Sequence, residues 1–155
     1  MDRRNFICAA LSATPVLAWS HHGWSSFDQN RPLYLEGTVR KSIWQNPHAE
    51  MVLELSPGLK LPADLAQRQV PAQTALVDGR AVLSKAVLPT RSDRLWEIEL
   101  APISRMLAWS VAEIKVGDTL AVVGFTFSDE KGAAVLRCEY LFAAGKTYAL
   151  RSSPA

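Results

Sequence analysis

Leu33-Tyr34-Leu35-Glu36-Gly37-Thr38-Val39-Arg40-Lys41-Ser42-Ile43-Trp44 is the stretch on which the fold turns. Leu33, Leu35, Val39 and Ile43 share one parity, as the buried side of a strand requires, so a long first strand is predicted over 33–44. Gly37 interrupts it, and a mid-strand glycine marks a bulge or sharp coil where a sheet curls to close a barrel. Working outward, Asn46-Pro47 turns the chain into a second strand, 49–55, with Met51, Leu53 and Leu55 on one face. A third strand is predicted over 95–100. Ile103, Met106, Leu107 and Trp109 then recur at near-helical spacing, which predicts a short helix within 102–110. Lys115-Val116-Gly117-Asp118 leads into a fourth strand, 119–127. Asp129-Glu130-Lys131-Gly132 forms a hairpin turn into a fifth, 134–142, where Leu136, Cys138, Tyr140 and Phe142 alternate.

Three strands, a helix and two more strands predict an all-β domain, a small OB-like five-stranded barrel with one short helix. A β-sandwich is the alternative architecture. Residues 56–93 do not fit the barrel and read as a long insertion between strands 2 and 3. Asp78-Gly79 stands there between two apolar runs, so 75–83 predicts a β-hairpin inside the insertion. Long ordered insertions often carry binding function, and a disordered excursion is the bland alternative. Residues 21–150 form the single domain and 151–155 a C-terminal tail.

The 155 residues carry a formal net charge of +2, with 48% hydrophobic and 21% charged residues, which describes a globular chain. That balance lacks the basic excess of a nucleic-acid-binding protein. No P-loop, dinucleotide fingerprint, nucleophile elbow or paired Cys-x-x-Cys is present, and the Ser, His and Asp residues have no spacing that supports a hydrolase triad.

Residues 1–20 read as an export signal: Arg3-Arg4 near the start, a short apolar run and small residues at its end. The paired arginines followed by Asn5-Phe6-Ile7 resemble a twin-arginine signal, with an ordinary secretory signal as the alternative. Cleavage near Ala18 or Ser20 would release a periplasmic protein without a membrane span. The mature chain would keep one cysteine, Cys138, so no internal disulfide could form. Cys138 lies in an apolar strand and reads as a buried, inert thiol.

The three histidines fall in two clusters, His21-His22 and His48. Neutral imidazole binds copper, zinc and nickel, and two or three rings suffice for copper. Cleavage after Ala18 would make His21 the third residue, where the terminal amine, two backbone nitrogens and its ring can enclose square-planar Cu(II) or Ni(II). Cleavage after Ser20 would make His21 the first residue, whose amine and ring chelate together. Asp28 and Glu99 offer additional oxygen ligands. Set against this, the paired histidines fit a tail, His48 a strand cap, Asp28 a turn and Glu99 a solvated strand position. Trp24, Trp44, Trp96 and Trp109, with Phe27, Tyr34 and Phe125, offer a stacking surface for bases or sugars, although aromatics more often fill a small barrel's core.

Taken together, His21-His22 with Phe27-Asp28, Leu35-Glu36-Gly37-Thr38-Val39, Trp44-Gln45-Asn46-Pro47-His48, Trp96-Glu97-Ile98-Glu99 and Val116-Gly117-Asp118 resemble an uncharacterised family of small exported bacterial proteins, domain of unknown function 6152. The resemblance covers residues 21–55 and 94–150; the insertion is longer than usual and Val116 stands where the pattern has proline. It implies no activity, but makes the combination His21, His22 and His48 less accidental. The expectation is a periplasmic transition-metal module, copper first with zinc or nickel as alternatives, acting as a carrier or accessory protein rather than a catalyst. Oxygen activation at such a copper centre is the enzymatic alternative. The metal ion and another periplasmic protein are the expected partners. A metal-free module for a sugar, peptide or protein is the competing function, using the aromatic face or the insertion.

Overall fold

A computed structural model describes residues 23–155, so residues 1–20, expected to be an export signal, and His21 and His22 lie outside the described residues. Six strands form one sheet: β1 (Leu33–Ile43), β2 (Glu50–Leu55), β3 (Leu95–Glu99), β4 (Thr119–Phe125), β5 (Val135–Ala143) and β6 (Lys146–Ala149). Their order is β3-β2-β1-β4-β5-β6, and an additional parallel pairing of β3 with β5 closes the first five into a barrel. The circuit β1-β2-β3-β5-β4 is that of an OB-type barrel, and the closure decides against a sandwich. The strand β6 extends β5 antiparallel beyond the closed ring. Two short helices accompany the sheet, α1 (Gly79–Lys85) in the insertion and α2 (Ile103–Ala108) after β3, where the spacing predicted one. Among the described residues no helix is long and apolar enough to cross a membrane.

The barrel interior is filled by Leu33, Leu35, Val39, Met51, Leu53, Trp96, Ile98, Val122, Leu136, Cys138 and Leu141. Trp96, Tyr34, Phe125 and Tyr140 are each at most 1% exposed, so these aromatics serve packing and offer no stacking surface. Cys138 is a buried free thiol, and burial pushes its titration well above the ordinary value.

Two features of the strands differ from the expected alternation, and both have one cause. The register of β1 on β2 shifts between Val39 and Lys41, so Val39 faces Leu53 but Ile43 faces Glu50. Ile43 therefore leaves the parity of Leu33, Leu35 and Val39. A second shift lies between Val123 and Gly124, opposite Cys138 and Tyr140, which leaves Glu139 as the extra residue of β5. Leu136 and Cys138 point inward before it, while Tyr140 and Phe142 pack outside the barrel. A bulge adds one residue and reverses every side after it. Gly37 is not the bulge. A Cβ there would stand 1.9 Å from the Glu54 carbonyl oxygen, so glycine permits the close approach of β2.

The insertion is a packed second layer. Leu65, Leu83 and Ala86 join Tyr34, Ala121, Val123, Tyr140 and Ala149 in a second core on the outer side of β1, β4 and β5. The expected hairpin over 75–83 is absent: the Asp78 carboxylate accepts the Ala81 N–H at 2.9 Å and caps α1. Asp-Gly suits a tight turn or a helix start, and here the apolar side of α1 meets Tyr140 so closely that a Cβ on Gly79 would lie 2.6 Å from the phenol oxygen. The tail also pairs with this layer. Thr74 N–H donates to the Ser153 carbonyl at 2.9 Å, and Ser152 N–H donates to Gln73 Oε1 at 3.0 Å.

Asp129 to Gly132 does turn the chain, but Asp129, Glu130 and Gly132 all adopt positive φ, and Glu130 folds inward. Its carboxylate accepts the N–H groups of Thr90 and Arg91 at 2.9 and 3.1 Å and pairs with the Arg31 guanidinium. Burial opposes the charged form, but the Thr90 N–H, Arg31 and the Arg91 N–H outweigh it and hold the carboxyl below its ordinary 4.5.

Replacing Leu83 by Ala should cost about 2–5 kcal/mol in urea unfolding, the range for truncating a core leucine. A loss below about 0.5 kcal/mol would mean that the insertion does not share the barrel's folding. The Glu130 contribution is fully present above the unfolded carboxyl's ordinary 4.5 and is lost as pH falls through the depressed folded value, because the unfolded chain binds the proton first. Glu130→Gln should thus be less stable than the wild type at pH 7, and the gap should narrow below about pH 4.5. A pH-independent gap in denaturation midpoints would contradict this.

Candidate functional site

The turn from β1 to β2, residues 44–49, passes through a cis Asn46-Pro47 peptide bond and delivers His48 to the head of β2. The ladder already holds the next residue: Ala49 N–H donates to the Ala101 carbonyl at 2.8 Å, and Leu100 N–H donates back to Ala49 at 3.0 Å. Ala49 and Met51 enter the core, so strand alternation sends His48 and Glu50 to the outer side. His48 is half-buried and its Nδ1 is fully covered.

Glu50 opens a row of register partners that runs around the barrel. Ile43 in β1 faces Glu50 in β2, Glu50 faces Glu99 in β3, Glu99 faces Arg137 in β5, and Arg137 faces Phe125 in β4. Glu50 and Glu99 are 6% and 8% exposed, so Glu99 is not a solvated strand position. Arg137 is equally covered and donates through Nη1 to Glu99 at 3.3 Å. Arg105, from α2, lies near it; burial and then the Arg137 charge push Arg105 down from its usual value.

The N-terminal arm covers the same row. Trp24–Ser26 forms a single 3-10 turn, after which Phe27 is buried against Phe125 and Val135 and stacks on Phe127 at 5.2 Å. The Trp24 ring lies 4.2 Å from the Arg151 guanidinium carbon, 5.1 Å from that of Arg137, and edge-on to Phe125 at 6.3 Å. Arg151 in turn donates to the fully buried Glu139 at 2.7 Å. His21 and His22, directly before Gly23 in sequence, lie outside the described residues.

Asp28 serves a turn: its Oδ1 accepts the Asn30 N–H at 3.0 Å and its own N–H donates to Thr126 at 2.9 Å. Among the described residues no three His, Cys, Asp or Glu side chains gather as a metal-binding group. His48, Glu50 and Glu99 share the outer side of this end of the barrel but do not form such a group. Glu50 and Arg137 were not singled out from the sequence. The His48-x-Glu50 spacing, two residues along a strand, was the available sign for the first.

Residues 9–60 match the family model DUF6152, a family of unknown function. The matched span contains His21, His22, His48 and Glu50, while the Trp96 and Val116 motifs fall beyond it. No curated protein and no solved structure matches the chain.

A separate cleft of about 430 Å³ lies where the insertion meets the β5–β6 turn, lined by Tyr34, Glu36, Arg68, Phe142 and Lys146. Arg68 stands 5.1 Å from the Phe142 ring centre and pairs with Asp64 at 3.0 Å. The Tyr34 hydroxyl donates to Glu36, and burial followed by that bond raises its titration.

Arg137→Met should destabilise the protein by roughly 3 kcal/mol, since it strips a buried carboxylate of its arginine. Arg94→Met, at an exposed pair with Glu54, should cost less than about 1 kcal/mol. Equal midpoints for the two variants in guanidinium unfolding would refute a special role for the buried pair.

Proposed function

We propose that this protein is an exported transition-metal-binding module, copper first with zinc or nickel as alternatives, that holds its ion through His21, His22 and His48. The observation that supports the reading is the placement of His48 on the outer side of the barrel end where β2 begins and β3 ends, beside the register pair Glu50–Glu99, with Trp24, two residues after His22 in sequence, packed on Arg137, the register partner of Glu99. Imidazole suits copper, zinc and nickel, and the carboxylates favour a divalent cation over a cuprous one. The soft donors Cys138, Met51 and Met106 are committed to the core. Glu99 and Asp28 are the additional oxygen ligands this reading allows, with Glu99 already accepting from Arg137 and Asp28 held in its turn.

OB barrels commonly bind chains of nucleotides or sugars on the outer side of β2 and β3; here that side carries Glu50, Glu54, Glu97 and Glu99, with Arg40 and Arg94 paired to Glu54 and Arg137 to Glu99. A carrier or accessory role in the periplasm fits a small barrel whose export signal precedes its histidines. Oxygen chemistry at the copper would make it an enzyme instead.

The second reading is a metal-free module for a small polar molecule, peptide or protein, favoured by the Tyr34–Arg68–Phe142 cleft. Metal analysis of the mature protein separates the two. Near-stoichiometric copper is expected, and copper at a hundredfold its Kd should stabilise the wild type by about 2.7 kcal/mol. His48→Ala should lose that stabilisation while its metal-free unfolding midpoint stays close to the wild type. A mature protein that takes up neither copper, zinc nor nickel would reject the metal reading and direct attention to the cleft.

A further inference from the structure

We infer that the cleft between the insertion and the β5–β6 turn is a site for an α-amino acid with an apolar side chain, its ammonium on Glu36 and its carboxylate on Arg68. The inference names the ligand of the second reading above and rests on that reading; it needs no metal.

The cleft follows from where the insertion stops. On the outer side of the sheet, Tyr34, Val123, Tyr140 and Ala149 are register partners in one row across β1, β4, β5 and β6. The insertion covers that row with Leu65 and Leu83. The next row, Glu36, Ala121, Phe142 and Thr147, lines the cleft. Ala121 is its shortest side chain and stands between Glu36 and Phe142, so the row is hollow in the middle. Phe142 is only half-buried there, and covering its remaining apolar surface with a ligand is favourable. The volume of about 430 Å³ lies toward the small end of the roughly 300–1,000 Å³ of ligand pockets, which suits a small molecule rather than a chain.

Two opposite charges line this hollow without pairing. The Glu36 carboxylate accepts from the Tyr34 hydroxyl, and among the described residues no lysine or arginine forms an ion pair with it. Arg68 pairs instead with Asp64, through Nε and Nη2 at 3.0 and 3.3 Å, which leaves its Nη1 group to donate elsewhere. Buried Leu65 anchors the turn that precedes Arg68, and the Phe142 ring lies 5.1 Å from the guanidinium carbon. The Arg68 charge also reaches the Tyr34 hydroxyl: burial and the Glu36 bond raise that titration, and the guanidinium opposes the rise. Carboxylate and guanidinium thus meet at one phenol. Opposite charges so close together match a ligand whose own two charges flank a single carbon, the α-amino acid pattern. A simple anion would meet Glu36 with like charge, and a simple amine would meet Arg68 and Lys146 in the same way. Lys146 adds its charge from the rim, just after a tight turn in which Ala144 and Gly145 both have positive φ. Phe142 and Ala121 remain for the apolar side chain.

The test is isothermal titration calorimetry in EDTA, so that copper chelation by the amino acid plays no part. The probes share one apolar body: L-phenylalanine, 3-phenylpropanoate, which lacks the ammonium, and 2-phenylethylamine, which lacks the carboxylate. L-Phenylalanine should bind the wild type at least about tenfold more tightly than either of the others. Glu36→Gln should weaken L-phenylalanine by about tenfold or more and change 3-phenylpropanoate by less than about threefold. Arg68→Met should weaken L-phenylalanine similarly and leave 2-phenylethylamine within about threefold. Glu36→Gln keeps the side chain's size and an acceptor for Tyr34, and it carries the test if Arg68→Met does not fold. If 3-phenylpropanoate bound as tightly as L-phenylalanine and Glu36→Gln changed neither, the amino-acid assignment would be overturned and the cleft would stand as an anion site. No binding of any of these probes to the wild type at millimolar concentration would overturn the assignment and the cleft reading together.

Discussion

Arg137 stands where the barrel closes. The β3–β5 pairing joins the two ends of the circuit through Glu97–Val135, Ile98–Leu136 and Glu99–Arg137. Three parallel pairs are a short seam, and the last of them carries a buried ion pair across it. A buried charge is tolerated only with a partner, so Glu99 and Arg137 hold each other inside and in register. The same guanidinium then supports Trp24 from the other strand edge. Barrel closure, the carboxylate row and the seating of the N-terminal arm thus share one side chain.

A second constraint is the outward displacement of apolar side chains by bulges. After the irregularity at Glu139, Tyr140 and Phe142 face away from the barrel axis, where they would be exposed if nothing covered them. The insertion covers Tyr140 with Leu65 and Leu83, and Arg68 lies over Phe142. Gln73 and Arg151 meet at the buried carboxylate of Glu139, so the bulge residue itself ties insertion to tail. The long excursion between β2 and β3 thus covers the outward side chains of β5, and the Glu130 contacts to Thr90 and Arg91 hold its far end.

Strand existence was legible because apolar alternation survives within each unbulged run: Leu33 to Val39 in β1, Met51 to Leu55 in β2, and Leu136 to Cys138 in β5. The reversals at 40 and 139 were not, since a bulge changes register without leaving a distinctive residue. Gly37 looked like the bulge and instead marks a close approach. Asp78-Gly79 was ambiguous because one carboxylate can serve a hairpin turn or cap a helix, and only the packing of α1 on Tyr140 decides. At the site, His48 was legible as a rare residue beside a turn. Glu50 was hidden inside an apolar strand, and the burial of Glu99 depends on a neighbour in β5 that sequence distance conceals.

Electrostatics at this end of the barrel turns on buried carboxylates and the arginines that meet them. Two carboxylates on adjacent strands, both withdrawn from water, raise each other's energy when charged. Any positive charge delivered to them is favoured more strongly than it would be at an exposed site. Arg137 supplies one such charge to Glu99. The composition, nearly neutral overall, conceals this local polarity; it emerges only when the barrel places Glu50, Glu54, Glu97 and Glu99 on neighbouring strands.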